Sequence, residues 1–280
     1  MKTLTPSSTL EKVASIDALT VGAVGVCAYL LASITHEALG HGLAALILGL
    51  HPQHVSSVDL VVSFTGVPDW QRRIVDAAGC GAQVLVALLT LALMRLTPKG
   101  SPTTRYFLWL FSTINLIIPG GYLMVLTFAG FGDWYDFIQG LPSPLTWQIG
   151  LTLLGVLISL AGLFAGARNL EPFAGHATTG PQARRKRRVR LTFIPYFAGS
   201  AAWTISAIFN PDSPVLILIS GAAASFGGTA FLVLINSVSR KAPPDSPDVP
   251  LTPTRDWLWV GFGAASVLIY LVVLGPGLPR

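Results

Sequence analysis

Seven apolar stretches, each close to twenty residues or longer, dominate the sequence and leave few folds open to it. A helix rises about 1.5 Å per residue, so roughly 20 apolar residues cross a hydrocarbon core of about 30 Å. The composition agrees, because 52% of the residues are hydrophobic and only 11% are charged. We therefore expect an all-α, polytopic membrane protein of about seven transmembrane helices. The stretches are 16–50, 74–96, 106–129, 145–167, 191–209, 215–238 and 257–274.

The chain divides into two predicted parts on this pattern. Residues 1–136 contain the first three stretches, and residues 137–280 contain four more, which predict an attached four-helix membrane bundle with a basic loop at 168–190. The first stretch would form a helix of about 52 Å, longer than a bilayer core, so it must tilt, kink or leave the membrane early. The third stretch contains Pro119, Gly120 and Gly121, which predict a broken helix beside a cavity.

Lysine and arginine residues are distributed unevenly along this pattern. If the seven stretches alternate in direction, 15 of the 18 fall on one side, and only Arg72, Arg73 and Arg280 fall on the other. Cytoplasmic loops carry the excess of Lys and Arg. We therefore expect a prokaryotic cytoplasmic membrane protein with a cytoplasmic N-terminus and an external C-terminus. The basic run 184–190 precedes a span, which favours topology control and contact with anionic lipids over nucleic-acid binding.

Three polar residues in the first stretch carry the chemistry. His36, Glu37 and His41 are the only charged or histidine residues between positions 18 and 50. Such groups at membrane depth cost several kcal/mol each unless they are paired, hydrated or bound to metal. Zinc binds imidazole and carboxylate ligands, and a neighbouring glutamate can take a proton from the metal-bound water. A metal site is the leading interpretation, with a hydrogen-bonded packing network as its alternative.

The spacing of the two histidines is unusual for a metal site on a helix. Zinc proteases carry H-E-x-x-H, whereas this chain has H-E-x-x-x-H. Five residues on a regular α-helix leave His36 and His41 about 140° apart, against about 40° for a spacing of four. A π-bulge absorbs one extra residue and would return both imidazoles to one face. In a regular helix, Glu37 and His41 would instead be the two ligands.

The residues around this motif resemble a known family. HEALGHGLAALILG, at 36–49, is similar to the HE-x-GH-x-L-A-A-x-x-x-G stretch of the site-2 proteases, with one residue inserted. AAGCGAQVLVALL, at 77–89, resembles that family's small-residue second span, and NLIIPGG, at 115–121, resembles its N-x-x-P segment. The polar stretch 55–64 lies where the family often has a short strand. The resemblance covers roughly residues 16–136.

This resemblance implies a function and roles for named residues. The family consists of intramembrane zinc metalloproteases that hydrolyse peptide bonds of membrane proteins. By resemblance, His36 and His41 would bind zinc, Glu37 would activate the attacking water, and Asn115 would hold an extended substrate. The alternative is a non-enzymatic membrane protein, either a metal-ion permease or an inactive relative, that uses the same polar cluster.

The third metal ligand follows from depth in the membrane. A catalytic zinc site takes three protein ligands and a water. With a cytoplasmic N-terminus, His36 and His41 lie in the outer half of the first helix, and Asp133 follows the outer end of the third stretch. Asp133 is therefore the expected third ligand. The rival ligands on that side are His51, His54 and Asp136.

Overall fold

The computed structural model describes residues 15–98, 100–175, 180–210, 217–238 and 250–278. Helices make up most of this part of the chain, which confirms the all-α class. The α-helices are α1 (Ala18–Ile34), α2 (Leu43–Ile47), α3 (Asp69–Leu96), α4 (Pro102–Ala129), α5 (Asp133–Ile138), α6 (Pro144–Ala174), α7 (Pro181–Ile208), α8 (Phe231–Leu234) and α9 (Trp257–Ile269). The π-helical segments are Thr35–Gly42, Ile217–Gly227 and Tyr270–Leu274, and Ile235–Ser237 forms a 3-10 turn.

Six helical stretches in the described residues are long and apolar enough to cross a membrane. The first, Ala18–Ile47, joins α1, a π-helical segment and α2, and the last, Trp257–Leu274, joins α9 to the final π-helical segment. The other four are α3, α4, α6 and α7. The sixth predicted stretch, 215–238, begins outside the described residues, and its described apolar helix, Gly221–Ser237, is shorter than the six others.

Two contacts show which helix ends share a side of the bundle. Asp17 caps α1 by accepting from the Thr20 backbone N–H at 2.8 Å, and its carboxylate also accepts two hydrogen bonds of 2.9 Å from Arg255, just before α9. At the other end, the Ser57 N–H donates to the Leu274 carbonyl at 2.7 Å. Helices α1 and α9 therefore run in the same direction. Of the residues in the charge count, Lys2, Lys12, Lys99, Arg240, Lys241 and Arg280 lie outside the described part.

The predicted break in the third stretch is wrong, because α4 continues as helix through Pro119 to Ala129. Gly120 packs so closely on α6 that an added Cβ would overlap Ser159 and the Gly155 carbonyl. This close approach supplies packing that holds the helix together around its proline. The chain reverses later, at Gly130, which ends α4 with a φ of 79°.

The predicted basic loop 168–190 is also mostly helical. It contains the end of α6 and the first ten residues of α7, which begins with Pro181 at its first position. Proline suits the first turn of a helix, where its missing N–H costs nothing. The helix divides the basic run between two faces. Arg184, Arg187 and Arg188 are buried, whereas Arg185, Lys186 and Arg190 are exposed.

A short hairpin follows the first span. Strands β1 (Pro52–Val55) and β2 (Leu60–Val62) pair in antiparallel register, and Val55 also pairs with Leu278. The Leu60 side chain lies over Gly42, where an added Cβ would come within 3.1 Å of it. The hairpin therefore lies against the π-helical segment that carries the two histidines.

Candidate metal centre

The π-helical segment Thr35–Gly42 brings the two histidines together. The Leu43 N–H at its end donates to the Ala38 carbonyl, five residues back, instead of to the residue four back. A hydrogen-bond spacing of five matches the histidine spacing of five, so the Nε2 atoms of His36 and His41 lie 3.2 Å apart. The predicted departure from α-helical geometry is confirmed. The open alternative, a regular helix that presents Glu37 and His41 as the pair, is wrong.

Asp133, the first residue of α5, completes the group. Its Oδ2 atom lies 3.1 Å from the Nε2 of His36 and 3.4 Å from the Nε2 of His41. The two imidazoles are buried, and the Asp133 side chain is 27% exposed. The three ligand atoms are therefore two imidazole nitrogens and one carboxylate oxygen.

The far nitrogens of both imidazoles are held by fixed acceptors. The Nδ1 of His41 lies 2.7 Å from the Val75 carbonyl, which can only accept, so this nitrogen carries the proton. The Nδ1 of His36 lies 3.1 Å from the Oε1 of Gln83, and the amide nitrogen of Gln83 donates to the Ala32 carbonyl at 3.3 Å. Such partners fix the tautomer and orientation of metal-binding imidazoles. Both Nε2 lone pairs are thereby left for a shared cation.

Two glycines let α3 approach this site. An added Cβ on Gly79 would lie 2.5 Å from the Nε2 of His41 and 2.6 Å from the Cε1 of His36. One on Gly40 would overlap the backbone of Gly79. A residue larger than glycine at position 79 would therefore occupy the space between the ligands.

Glu37 is next to the ligands in sequence and in space. Its side chain is buried, and it lies within electrostatic range of His36, His41 and Asp133. A carboxylate beside a metal-bound water is a residue type that can accept and return its proton. Its role as general base stays a prediction.

The other sequence candidates lie elsewhere. Asp136 forms an ion pair of 3.2 Å with Arg72. His51 lies just before β1 and is exposed, while His54 lies in β1 against Gly277. In the described part of the chain, the group that could hold a metal therefore consists of His36, His41 and Asp133, whose ligand atoms all lie within 4.8 Å of one another.

Asn115 is fully buried on α4 and is not among these ligands. Its amide nitrogen donates to the Phe111 carbonyl at 2.9 Å, and its Oδ1 has no hydrogen-bond partner within the described residues. Seven residues later, on the same helix face, the ring of Tyr122 lies 5.1 Å from that of His36. Asn115 therefore lies about two helical turns, or about 10 Å along α4, from Tyr122. Its contact with substrate stays a prediction.

Sequence reasoning missed three residues of this site: Gly79, Gln83 and Tyr122. Gln83 had a usable signal, since it is a lone amide in the apolar stretch 74–96. A polar side chain in such a stretch calls for a partner. Gly79 and Tyr122 gave no comparable signal, because glycines and aromatic residues are common throughout the sequence. No family model, curated protein or solved structure matches this chain.

Proposed function

We propose that this protein is an intramembrane zinc metalloprotease of the site-2 protease type, which hydrolyses peptide bonds of membrane-protein substrates. The size of the ligand triangle carries the proposal. Tetrahedral zinc with bonds of about 2.0–2.1 Å separates its ligand atoms by about 3.3 Å. The three edges between His36, His41 and Asp133 measure 3.1, 3.2 and 3.4 Å.

The number and type of ligands support a catalytic site over a structural one. Structural zinc sites use four protein ligands, whereas catalytic sites use three and leave the fourth position for water. Two histidines and one carboxylate form such a set of three, and the resemblance of residues 16–136 to a zinc protease family points to the same chemistry.

The side chains around the ligands have defined tasks in this proposal. Zinc bound there supplies a Lewis acid, which lowers the pKa of a water molecule and polarises a carbonyl oxygen. Glu37 accepts the proton of the attacking water at its carboxylate and later donates it to the nitrogen of the leaving amine. Gln83 and the Val75 carbonyl hold the Nδ1 protons, so both Nε2 atoms stay available. Asn115 offers its Oδ1 to a substrate backbone N–H.

Two measurements on detergent-purified protein test the proposal: zinc content and hydrolysis of a membrane-protein substrate. We expect one zinc per chain in the wild type and none in the His36→Ala, His41→Ala double variant. Glu37→Gln should retain zinc and lose about 100- to 10,000-fold in hydrolysis, the range for a general acid–base group. Asp256→Asn is the matched control, because this carboxylate caps α9 away from the ligands and Asn also caps helices.

The same variants separate a protease from a permease. A permease that passes metal through this cluster would need Glu37 for metal affinity or flux, and it would show no hydrolysis in the wild type. Wild-type protein that binds no zinc would overturn the metal site itself.

We further propose that the N-terminus and the start of α7 face the cytoplasm of a prokaryotic cell, with the metal centre nearer the outer side. The excess of Lys and Arg supports this orientation. The exposed Arg185, Lys186 and Arg190 would contact anionic lipids there. Cysteines introduced at Arg185 and Asp69 should be labelled from inside and outside, respectively, and the reverse pattern would contradict the assignment.

A further inference from the structure

The expected third ligand, Asp133, lies on α5, a helix too short to be stable without tertiary contacts. Helix α5 has six residues, and isolated helices shorter than about 12 residues are marginal in water. Gly130 and Gly132 precede it and Gly140 follows it, all with φ values between 73° and 86°. The carboxylate of Asp133 therefore reaches the histidines only if tertiary contacts hold α5 in place.

The apolar contacts lie on the face of α5 that carries Trp134 and Ile138, both of which are buried. Trp134 is buried with Cys80 and Leu123, and its Nε1 donates to the Cys80 Sγ at 3.3 Å. Beside this packing, a cavity of about 170 Å³ is lined by side chains of α3 and of the end of α5, among them Arg73 and Asp136. Apolar packing therefore holds one face of α5, and the side that faces the cavity depends on polar contacts.

The Arg73 side chain lines this cavity and joins α3 to the end of α5. Its Nε donates to the Phe137 carbonyl at 3.1 Å and its Nη2 donates to the Gln139 carbonyl at 2.9 Å. The carbonyls of Asp136 and Ile138 already accept backbone N–H groups. Arg73 thus binds carbonyls at the C-terminal end of α5, where an α-helix has unsatisfied acceptors and partial negative charge.

We propose that Arg73 is a positioning residue for the third metal ligand, because it fastens α5 to α3 and so holds Asp133 against His36 and His41. The inference rests on the proposed zinc site. It extends that proposal, because an arginine that is not itself a ligand would then contribute to the affinity of the three ligands for metal.

Arg72 is the natural comparison, because it is the next residue and also bonds to α5. It reaches Asp136 at 3.2 Å, where the two side chains are 38% and 44% exposed, and its other ion pair, of 3.8 Å to Asp76, lies within α3. Exposed ion pairs contribute little and are screened by salt. Arg73 is 20% exposed and binds main-chain atoms, so its removal releases the helix itself.

Zinc affinity tests this assignment, measured by competition with a chromophoric chelator in detergent. Loss of residues that support metal ligands typically costs about 10- to 100-fold in affinity. We expect that range for Arg73→Met, a partial loss for Arg73→Lys, and less than about threefold for the Arg72→Met control, in keeping with the small contribution of exposed ion pairs. The visible spectrum of bound Co²⁺ in Arg73→Met should approach that of Asp133→Asn.

A double-mutant cycle distinguishes positioning from general damage to the fold. If Arg73 acts through Asp133, adding Arg73→Met to Asp133→Asn should cost no further zinc affinity. Full additivity, or an Arg73→Met affinity within threefold of wild type, would overturn the inference while leaving the zinc site intact. If Asp133→Asn itself keeps wild-type zinc affinity, the third ligand of the proposed function fails, and the role of Arg73 fails with it.

Discussion

Two buried polar clusters lie at opposite ends of the bundle, and they differ in whether their charges are matched. At the start of α7, Glu171 accepts hydrogen bonds of 2.6 Å from Arg184 and 2.7 Å from Arg188. At the metal centre, two imidazole lone pairs and a carboxylate converge within 3.4 Å. In the first cluster, arginine donors are paired with a carboxylate acceptor. In the second, the groups that face one another are all potential acceptors.

This difference separates a structural cluster from a candidate site. A buried ion pair holds its helices together, and removal of one partner leaves an uncompensated charge. A group of acceptors with both Nδ1 protons already held elsewhere offers ligands that could hold a cation from outside the chain. Burial and polarity are alike in the two clusters, so they do not reveal a site on their own. The balance of donors and acceptors does.

The largest expected effect comes from the matched cluster. Glu171→Gln should destabilise the protein by about 3–5 kcal/mol, because it removes the carboxylate shared by Arg184 and Arg188 in a buried position. Chemical unfolding in detergent measures this change, and zinc content should be unaltered. Unchanged stability would show that this cluster does not hold the helices together, and the contrast between a structural cluster and a candidate site would no longer hold.

Gly79→Ala should act on the other cluster alone. Its Cβ would lie 2.5 Å from the Nε2 of His41 and 2.8 Å from the Nε2 of His36. Overpacking of this kind costs about 1–3 kcal/mol, up to about 100-fold in zinc affinity. Gly81→Ala is the control, because an added Cβ there has no neighbour within 4 Å in the described structure. Equal zinc affinity in the two variants would contradict the placement of α3 beneath the ligands.

Gln83→Met should lower zinc affinity by about 10-fold, the smaller end of the range for a group that orients a ligand. The apolar side chain fills similar space but no longer accepts from His36. Gln148→Met provides the match, since Gln148 also donates to a main-chain carbonyl, that of Thr127 at 2.9 Å, away from the metal centre. A similar affinity in both variants would mean that His36 is oriented without Gln83.

The smallest effect concerns the exposed pair that joins α1 and α9. Hydrogen bonds from Arg255 lower the pKa of Asp17 from 3.8 to about 2. A depressed acid pKa stabilises the fold fully above pH 3.8, and this contribution is lost as the pH falls towards 2. In metal-free protein, wild type should therefore lose more stability than Arg255→Gln between pH 4.5 and 2. Parallel curves of stability against pH for the two proteins would contradict the effect of Arg255 on Asp17.

The metal centre was partly predictable because local geometry limits it strongly. A spacing of five between His36 and His41 is incompatible with a shared face on a regular α-helix, so a common site required the π-helical segment that the structure contains. Asp133 was placed near them by its side of the membrane alone. Its ligand role, the zinc and the protease activity stay predictions.

Other features depended on contacts between residues distant in sequence. Pro119 and two glycines predicted a broken helix, yet the packing of Gly120 on α6 keeps α4 continuous. The basic run predicted a loop, yet half of its cations are buried in α7, two of them against Glu171 on the preceding helix. Neither partner can be identified from the run itself.

The sequence by itself determined that the chain is an all-α membrane protein and that its polar chemistry lies at His36, Glu37 and His41. Both conclusions follow from the cost of exposing backbone or charge to hydrocarbon, which depends on composition and spacing along one segment. Only the tertiary structure decided which groups orient the imidazoles, which glycine lies beneath them and which arginine fastens α5. Those choices depend on how α3, α4 and α5 pack against the π-helical segment, and packing is decided by shape and donor–acceptor matching across the fold.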